Sequence, residues 1–368
     1  MGTDTLTIDP VLQALADRLL TGKQGSIVAL DPQTGEVKCL TYNSYFDAGT
    51  NLAISRAYSP GSTIKTAQAL TLLSLGTVST GSRYSCHQGF WRRNIHIGCH
   101  AHRSNLNLVE AIGHSCNSWF CKAFSSMVDN RTLFPSASAA IDAWHIYMES
   151  MGLGMPLGID LPGEVGGLLP TSDYLNKAHN GSWNGTTVMW IGMGQGEVKC
   201  TPLQLCNLAA LIGNRGYYLV PHTRKYALGD SLYMKYARKH QCLVFPETFD
   251  PVVEGMRLAI TKGTAASINT PDYEICGKTG TAENDGEDHS IFIAFAPRVN
   301  PRIAICVYVE NAGFGADLAA PIGALVIEQA LKGKLSPRSE HKAKQWEDYF
   351  VIPNSTDSLH VPEVPMMD

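Results

Sequence analysis

The chain has 368 residues, with 29 basic and 33 acidic side chains and a net charge of −4. It carries no basic stripe, so neither nucleic acid nor an acidic membrane surface suits it as a partner. It is 44% hydrophobic and 17% charged, values of a globular protein with a real core, and the length suits one large domain or two ordinary ones. No apolar run reaches the roughly 18 residues of a membrane span, and the opening "MGTDTLTIDP" lacks both the basic and the apolar parts of a signal peptide. Either a cytosolic protein or a piece trimmed of its export or anchor segment fits that start, and the abrupt entry into structured sequence favours the second.

In "TIDPVLQALADRLLTGK", Asp9 caps a short amphipathic helix, Pro10 fits its first turn and Gly22 ends it. Val11, Leu12, Leu15 and Leu19 are expected on one buried face. "GSIVALDPQTGEVKCLTY" reads as a hairpin of two β-rich runs around a Pro/Gly turn. Residues 64–75 form an apolar helix that stops at Gly76, and residues 77–104, rich in Gly, His, Cys and aromatics, read as irregular. "NLNLVEAIG" is a helix with Asn107 and Glu110 spaced as a capping box, and "SWFCKAFSSMV" is another. Ser115-Cys116-Asn117 therefore falls between two helices. Residues 136–215 mix helices with Gly/Pro loops. Three late β-runs follow, "YEICGKTGTA", "SIFIAFAP" and "IAICVYVE", the first two joined by the turn "ENDGEDH". "AAPIGALVIEQALKG" is a closing apolar helix, and the polar stretch 336–368 reads as a loosely ordered tail.

Strands at both ends and helices between them predict an α+β fold. The first hairpin and the last three strands form a five-stranded antiparallel sheet flanked by helices. Its strands come from about 25–45 and 270–335, a helical lobe spans about 60–215, and residues 1–335 form the domain. A cleft is expected between sheet and lobe.

The stretch "YSPGSTIKTAQAL" places Ser62 and Lys65 three positions apart at the mouth of an apolar helix, where such residues are neighbours. A serine hydroxyl needs an adjacent base, and a lysine serves if burial brings its pKa toward neutrality. Alone, S-x-x-K reads more readily as a cap followed by a solvated lysine, since the pattern is common by chance. Two further motifs follow in order: Ser115-Cys116-Asn117 at the inter-helix turn, and Lys278-Thr279-Gly280-Thr281 on a β-run. S-x-x-K, S-x-N and K-T-G together resemble the signature of penicillin-binding proteins and serine β-lactamases.

Longer stretches extend that resemblance. "QGSIVALDPQTGEVKCL", "SRAYSPGSTIK", "IGHSCNSWF", "GIDLPGE", "IGMGQGEVKCTPLQLCNLAALIGNRG", "GMRLAITKGTA" and "CGKTGTAENDGEDHSIFIAFAP" are similar to penicillin-binding transpeptidase sequence over roughly residues 5–335. "LTIDPVLQ" and "LPGE" most resemble the elongation-type class B members. The resemblance implies a serine D,D-transpeptidase of the bacterial cell wall, on the periplasmic face of the inner membrane, with its anchor and N-terminal pedestal absent from this stretch. It implies peptidoglycan stem peptides as substrates, β-lactams as inhibitors, no cofactor for the chemistry, and a glycan-polymerising partner reached through the N-terminal region.

It also implies roles. Ser62 attacks the D-Ala-D-Ala carbonyl, Lys65 takes its proton, and the N–H groups of Ser62 and Thr281 form the oxyanion hole. Ser115, helped by Lys278, passes the proton to the leaving D-alanine, and Asn117 holds the peptide and contacts Lys65. Thr279 and Thr281 offer hydroxyls to the terminal carboxylate, and Gly280 leaves room for close approach. The competing readings are a D,D-carboxypeptidase, a serine β-lactamase, a non-turnover β-lactam sensor and a non-catalytic scaffold. Glu164 is the obvious deacylating carboxylate by position, but the β-lactamase pattern E-x-x-x-N does not follow it, and a role in a turn is expected.

Of ten cysteines, Cys39, Cys200, Cys206, Cys242, Cys276 and Cys306 lie in apolar or mixed runs and read as small hydrophobes. Cys86, Cys99, Cys116 and Cys121 cluster in sequence. Cys99 and His102 have metal-like spacing, and Cys86 and Cys116 complete a candidate tetrahedral zinc set. A Cys86–Cys99 disulfide and a set of unrelated loop residues are the alternatives. His289 reads as lining the cleft or bracing a hairpin, and Trp91, Trp119 and Trp183 as packing groups.

Overall fold

In the computed structural model, which describes residues 5–92, 95–284 and 286–351, the β-runs from the two ends of the chain meet in one sheet. The N-terminal side supplies helix α1 (Pro10–Leu20) and strands β1 (Gly25–Leu30) and β2 (Val37–Asn43). The middle supplies α2 (Lys65–Ser74), a hairpin of β3 (Gly89–Arg92) and β4 (Ile95–Gly98), and helices α3 (Leu108–Gly113) and α4 (Asn117–Val128). Then come α5 (Ala137–Ser150), α6 (Ser172–Ala178) and α7 (Pro202–Gly213). A ribbon of β5 (Tyr217–Leu219) and β6 (Lys239–Gln241), with α8 (Tyr233–Ala237) between them, precedes α9 (Phe249–Thr261). Strands β7 (Cys276–Ala282), β8 (His289–Ala296) and β9 (Ile303–Val309) lead to α10 (Ala319–Lys332) and α11 (Pro337–Glu347).

The sheet order is β2–β1–β9–β8–β7, every neighbour antiparallel. First and last strands pair at its centre, Gly25 opposite Val309 through Leu30 opposite Ala304. β1 and β9 are buried along their whole length, as their mostly apolar sequences suit when both faces are covered, Ser26 being the one polar residue of β1. Alternate residues divide between two cores. Ile27, Ala29, Ile305, Val307 and Phe292 pack with α1 and α10. Val28, Leu30, Cys306, Tyr308 and Ile293 pack with the lobe, through α2, α4, α7 and α9. β7 is the outer strand, so one of its edges is left facing the lobe.

Local chemistry sets the ends as expected: Asp9 accepts from Val11 N and Leu12 N, and Asn107 and Glu110 form a reciprocal capping box. Four expectations are corrected. Val11 is 60% exposed, and Ala16 and Leu20 complete the buried face of α1 instead. Residues 77–104 are not wholly irregular, because β3 and β4 pair with Phe90 and Ile97 buried against Met189 and Met193. Trp91 on that hairpin is no packing group: it is 65% exposed and stacked on His96, whereas Trp119 is fully buried. Finally, the stretch after Ser336 begins with a docked helix, α11, tied to α1 by Arg18 ion pairs to Glu340 and Glu347. The expected tail beyond residue 351 lies outside the described residues.

That docking has a buried keystone. The Lys23 amine, fully buried, donates to Thr21 O at 2.8 Å and to Trp346 O at 2.6 Å, capping the ends of both helices. Burial lowers its pKa to about 8. Replacing it leaves two carbonyls without donors, so Lys23→Met is expected to destabilise the protein by about 2 kcal/mol in urea unfolding. Unchanged stability would remove the amine from this role.

Candidate active site

Ser62 lies in a 3₁₀ turn, residues Gly61–Ile64, that runs straight into α2 and Lys65. Gly61 has φ +52°, and a Cβ there would overlap Thr281 O on the edge of β7. Only glycine allows that approach. From the strand side, a Cβ on Gly280 would sit 2.8 Å from Thr63 Cγ2 and 3.1 Å from Pro60 O, so the room expected at Gly280 exists and the Ser62 turn fills it. Gly61 N donates to Gly194 O at 3.0 Å, and Gln195 Nε2 donates to Thr281 O at 3.3 Å, holding turn and strand edge to a third segment.

Ser115-Cys116-Asn117 is the turn between α3 and α4. Ser115 takes φ +56°, a left-handed conformation that costs a non-glycine residue about 1–2 kcal/mol. Cys116 caps α4 by accepting from Trp119 N, and Asn117 starts the helix. The turn delivers its polar groups to Lys65. The fully buried Lys65 amine donates to Ser115 O at 2.9 Å and to Asn117 Oδ1 at 2.5 Å, with Ser115 Oγ at 3.4 Å. Asn117 Nδ2 donates in turn to Gly98 O at 2.8 Å, tying the β3–β4 hairpin to the same amine.

Among the described residues the Lys65 amine makes no hydrogen bond to Ser62 Oγ, which corrects the expected direct contact. The reason is that the S-x-N turn takes the amine: Ser115 and Asn117 supply all of its hydrogen-bond partners. Burial brings the Lys65 pKa down to about 8, against a partial upward pull from Cys99, Cys116 and Cys121. Lys278 is also fully buried, and burial, then the charge of Lys65, pushes its pKa well below the usual lysine range. Its amine donates to Thr279 O at 2.9 Å rather than to Ser115.

Ser62, Ser115, Asn117, Thr279 and Thr281 line one cleft of about 280 Å³. Gly98, Cys99, His100, Met193, Gln195, Glu283, Asp288 and Phe314 complete its walls. His100, Gln195 and Phe314 were not singled out as site residues by the motifs; no local pattern marks them, and only the fold brings them here. Thr264, in "TKGTA", is likewise unmarked by any motif: its Oγ1 is 2.7 Å from Thr279 Oγ1.

Beside the cleft, the ligand atoms of Cys86, Cys99, His102 and Cys116 all lie within 4.8 Å of one another. Zinc–sulfur bonds of about 2.3 Å put the ligands of a tetrahedral site about 3.8 Å apart, so this donor set fits. His102 Nδ1 is 2.6 Å from Arg103 O, which directs its Nε2 to the thiols, 3.3 Å from Cys99 Sγ. Cys99 is held at about pKa 4, first by a hydrogen bond from Cys116, then by His102 and the Lys65 charge. All ten cysteines are unpaired, so the Cys86–Cys99 disulfide is not formed. Cys121 is buried among Phe90, Met189 and Met193 and stands apart from the four.

Glu164 does not line the cleft. It accepts from Leu157 N, Gly158 N and Ile159 N at 2.7–3.1 Å and so closes its own loop. His289 braces the end of the sheet: it accepts from Asn311 N at 3.0 Å and packs edge-on against Tyr58.

A five-stranded sheet and a helical lobe that meet at S-x-x-K, S-x-N and K-T-G-T motifs define a class, and the family comparison agrees. The family model described as the penicillin binding protein transpeptidase domain matches residues 25–328, and the chain belongs to that family. Within it, the chain is 30% identical over 370 residues to the peptidoglycan D,D-transpeptidase MrdA of Acinetobacter baumannii, and 25% identical to that of Escherichia coli K12. These alignments cover 86% and 84% of this chain but 52% and 55% of the relatives, so the chain spans about half their length. Pseudomonas aeruginosa PBP2, solved with WCK 5153, superposes with a TM-score of 0.78 at 29% identity, covering 90% of this chain and 77% of that one. A structure from a peptidoglycan synthase complex that couples polymerization and crosslinking superposes at 0.75 with 26% identity, covering 90% and 63%.

If Lys65 is the base for Ser62, covalent modification of Ser62 by an acylating substrate analogue needs the free-base form of Lys65. The rate is therefore expected to climb about tenfold per pH unit well below pH 8 and to level off above it. Stopped-flow labelling across that range checks this, and a flat profile would exclude Lys65 as the base.

Proposed function

We propose that this chain is the catalytic part of a peptidoglycan D,D-transpeptidase acting on the periplasmic face of a bacterial inner membrane. The observation that carries the reading is the buried Lys65 amine, bound by Ser115 and Asn117, which line one cleft together with Ser62 and with Thr279 and Thr281 of β7. Ser62 Oγ attacks the carbonyl between the last two D-alanines of a stem peptide, and its proton passes to the Lys65 lone pair. The N–H groups of Ser62 and Thr281, apposed by Gly61, hold the oxyanion. Ser115 Oγ, 3.4 Å from Lys65 Nζ, returns the proton to the departing D-alanine nitrogen. Lys278 acts by holding the backbone of Thr279, not by direct contact with Ser115. Thr279 and Thr281 take the terminal carboxylate, and Asn117 takes a peptide amide. An amine of a second stem peptide then displaces Ser62 and forms the crosslink.

A class A β-lactamase outcome needs a glutamate-held water at the acyl group, and Glu164, its candidate by sequence position, is engaged elsewhere. No helix among the described residues is long and apolar enough to cross a membrane, so an anchor would lie outside them. The likeness to a polymerizing and crosslinking synthase complex supports a glycan-polymerising partner.

We assign Cys86, Cys99, His102 and Cys116 as holders of a structural zinc ion. Bound there, zinc supplies no chemistry to the reaction and cross-braces the 86–116 segment. Cys116 lies inside the S-x-N turn, and Asn117 reaches back to Gly98, so this segment sets the position of the Lys65 partners.

Fluorescent penicillin is expected to label the protein stably, with Ser62→Ala abolishing the label. Rapid release of hydrolysed drug would instead identify a β-lactamase. Elemental analysis is expected to find one zinc per chain, and Cys86→Ser together with His102→Ala to remove it and lower Tm. Equal metal content in parent and variant would withdraw the zinc assignment.

A further inference from the structure

We infer that Thr264 is a positioning residue for the reaction: its hydroxyl aims the Thr279 hydroxyl at the substrate carboxylate. The inference rests on the transpeptidase reading and names a determinant of its donor-side specificity.

The loop after α9 touches both halves of the site. Thr264 N donates to Gly113 O at 3.3 Å, and Gly113 ends the helix that leads into Ser115. A Cβ on Gly263 would overlap Gly113 O, so the glycine is what lets this loop lie against α3. From the same residue, Thr264 Oγ1 meets Thr279 Oγ1 at 2.7 Å. One side chain thus connects the K-T-G strand to the backbone next to the S-x-N turn.

The polarity of that contact decides what the cleft presents. Thr279 lines the cleft and Thr264 does not. Each hydroxyl has a single proton to donate. If Thr279 gives its proton to Thr264, it shows lone pairs to the cleft and repels an anion. If Thr264 donates, the Thr279 oxygen is satisfied from behind and its O–H is free to point outward. An incoming carboxylate selects the second arrangement and is met by a hydroxyl already held in place. Valine at position 264 keeps the shape but removes the proton, so nothing fixes the Thr279 rotor.

The test compares acylation of the full chain by benzylpenicillin and by its methyl ester, which lacks the anionic carboxylate. The parent is expected to prefer the free acid. Thr264→Val is expected to cut the efficiency toward the acid about tenfold, the worth of one oriented hydrogen bond, with little change toward the ester. Thr264→Ser is expected to restore the preference. Should Thr264→Val melt below the assay temperature, Thr264→Ala replaces it, since it lacks the hydroxyl without β-branching. Equal acid-to-ester ratios in parent, Val and Ser forms, or equal losses toward both probes, would overturn the inference. Failure of the parent to label at Ser62 would instead overturn the transpeptidase reading on which it rests.

Discussion

A buried amine with two carbonyl partners organises this site. Lys65 has no carboxylate among its hydrogen-bond partners; burial lowers its pKa to about 8, and its amine donates to Ser115 O and Asn117 Oδ1 instead. That arrangement fixes the S-x-N turn relative to α2 and holds Ser115 in its left-handed conformation. Through Asn117 and Gly98 it also fixes the β3–β4 hairpin, which forms one wall of the cleft. Removing the amine would unsettle three segments at once, because each uses it as a common partner.

The opposite wall obeys a steric rule rather than an electrostatic one. Gly61, Gly280 and Gly194 stand where the Ser62 turn, the β7 edge and the 190s loop press backbone against backbone, leaving no volume for a Cβ. The Ser62 turn is thereby located chiefly by close contacts of backbone at Gly61 and Gly194, and by the Thr63 methyl and Pro60 O at Gly280. Precision on that side and adaptability around the buried amine divide the labour of the site between them.

The sequence made the architecture readable because its signals were local. β-rich runs at the two ends marked the five strands, and the capping residues Asp9 and Asn107 marked where α1 and α3 begin. The motifs carried Ser62, Lys65, Ser115, Asn117 and the 278–281 strand, and the same reading grouped Cys86, Cys99, His102 and Cys116, whose side chains do converge. Contacts that depend on three dimensions were not readable. Spacing on a helix suggested that Lys65 would touch Ser62, but the amine is claimed by a turn some fifty residues later. Polarity suggested a loose segment after Ser336, but a buried lysine near the other terminus caps it. Thr264 is one threonine among many until α9 delivers it to Thr279.

The pairing of β1 with β9 places the first and last strands of the domain side by side, with the entire lobe looped out between them. Such a topology carries a heavy loop-closure entropy and a high contact order. In a chain threaded across a membrane from its N-terminus, the Ser62 turn would emerge early and wait, unbacked, until residues 276–309 arrived. On the proposed transpeptidase reading, the acylating centre would therefore come into being only at the end of translocation, and a nascent or truncated chain would offer an antibiotic no reactive serine.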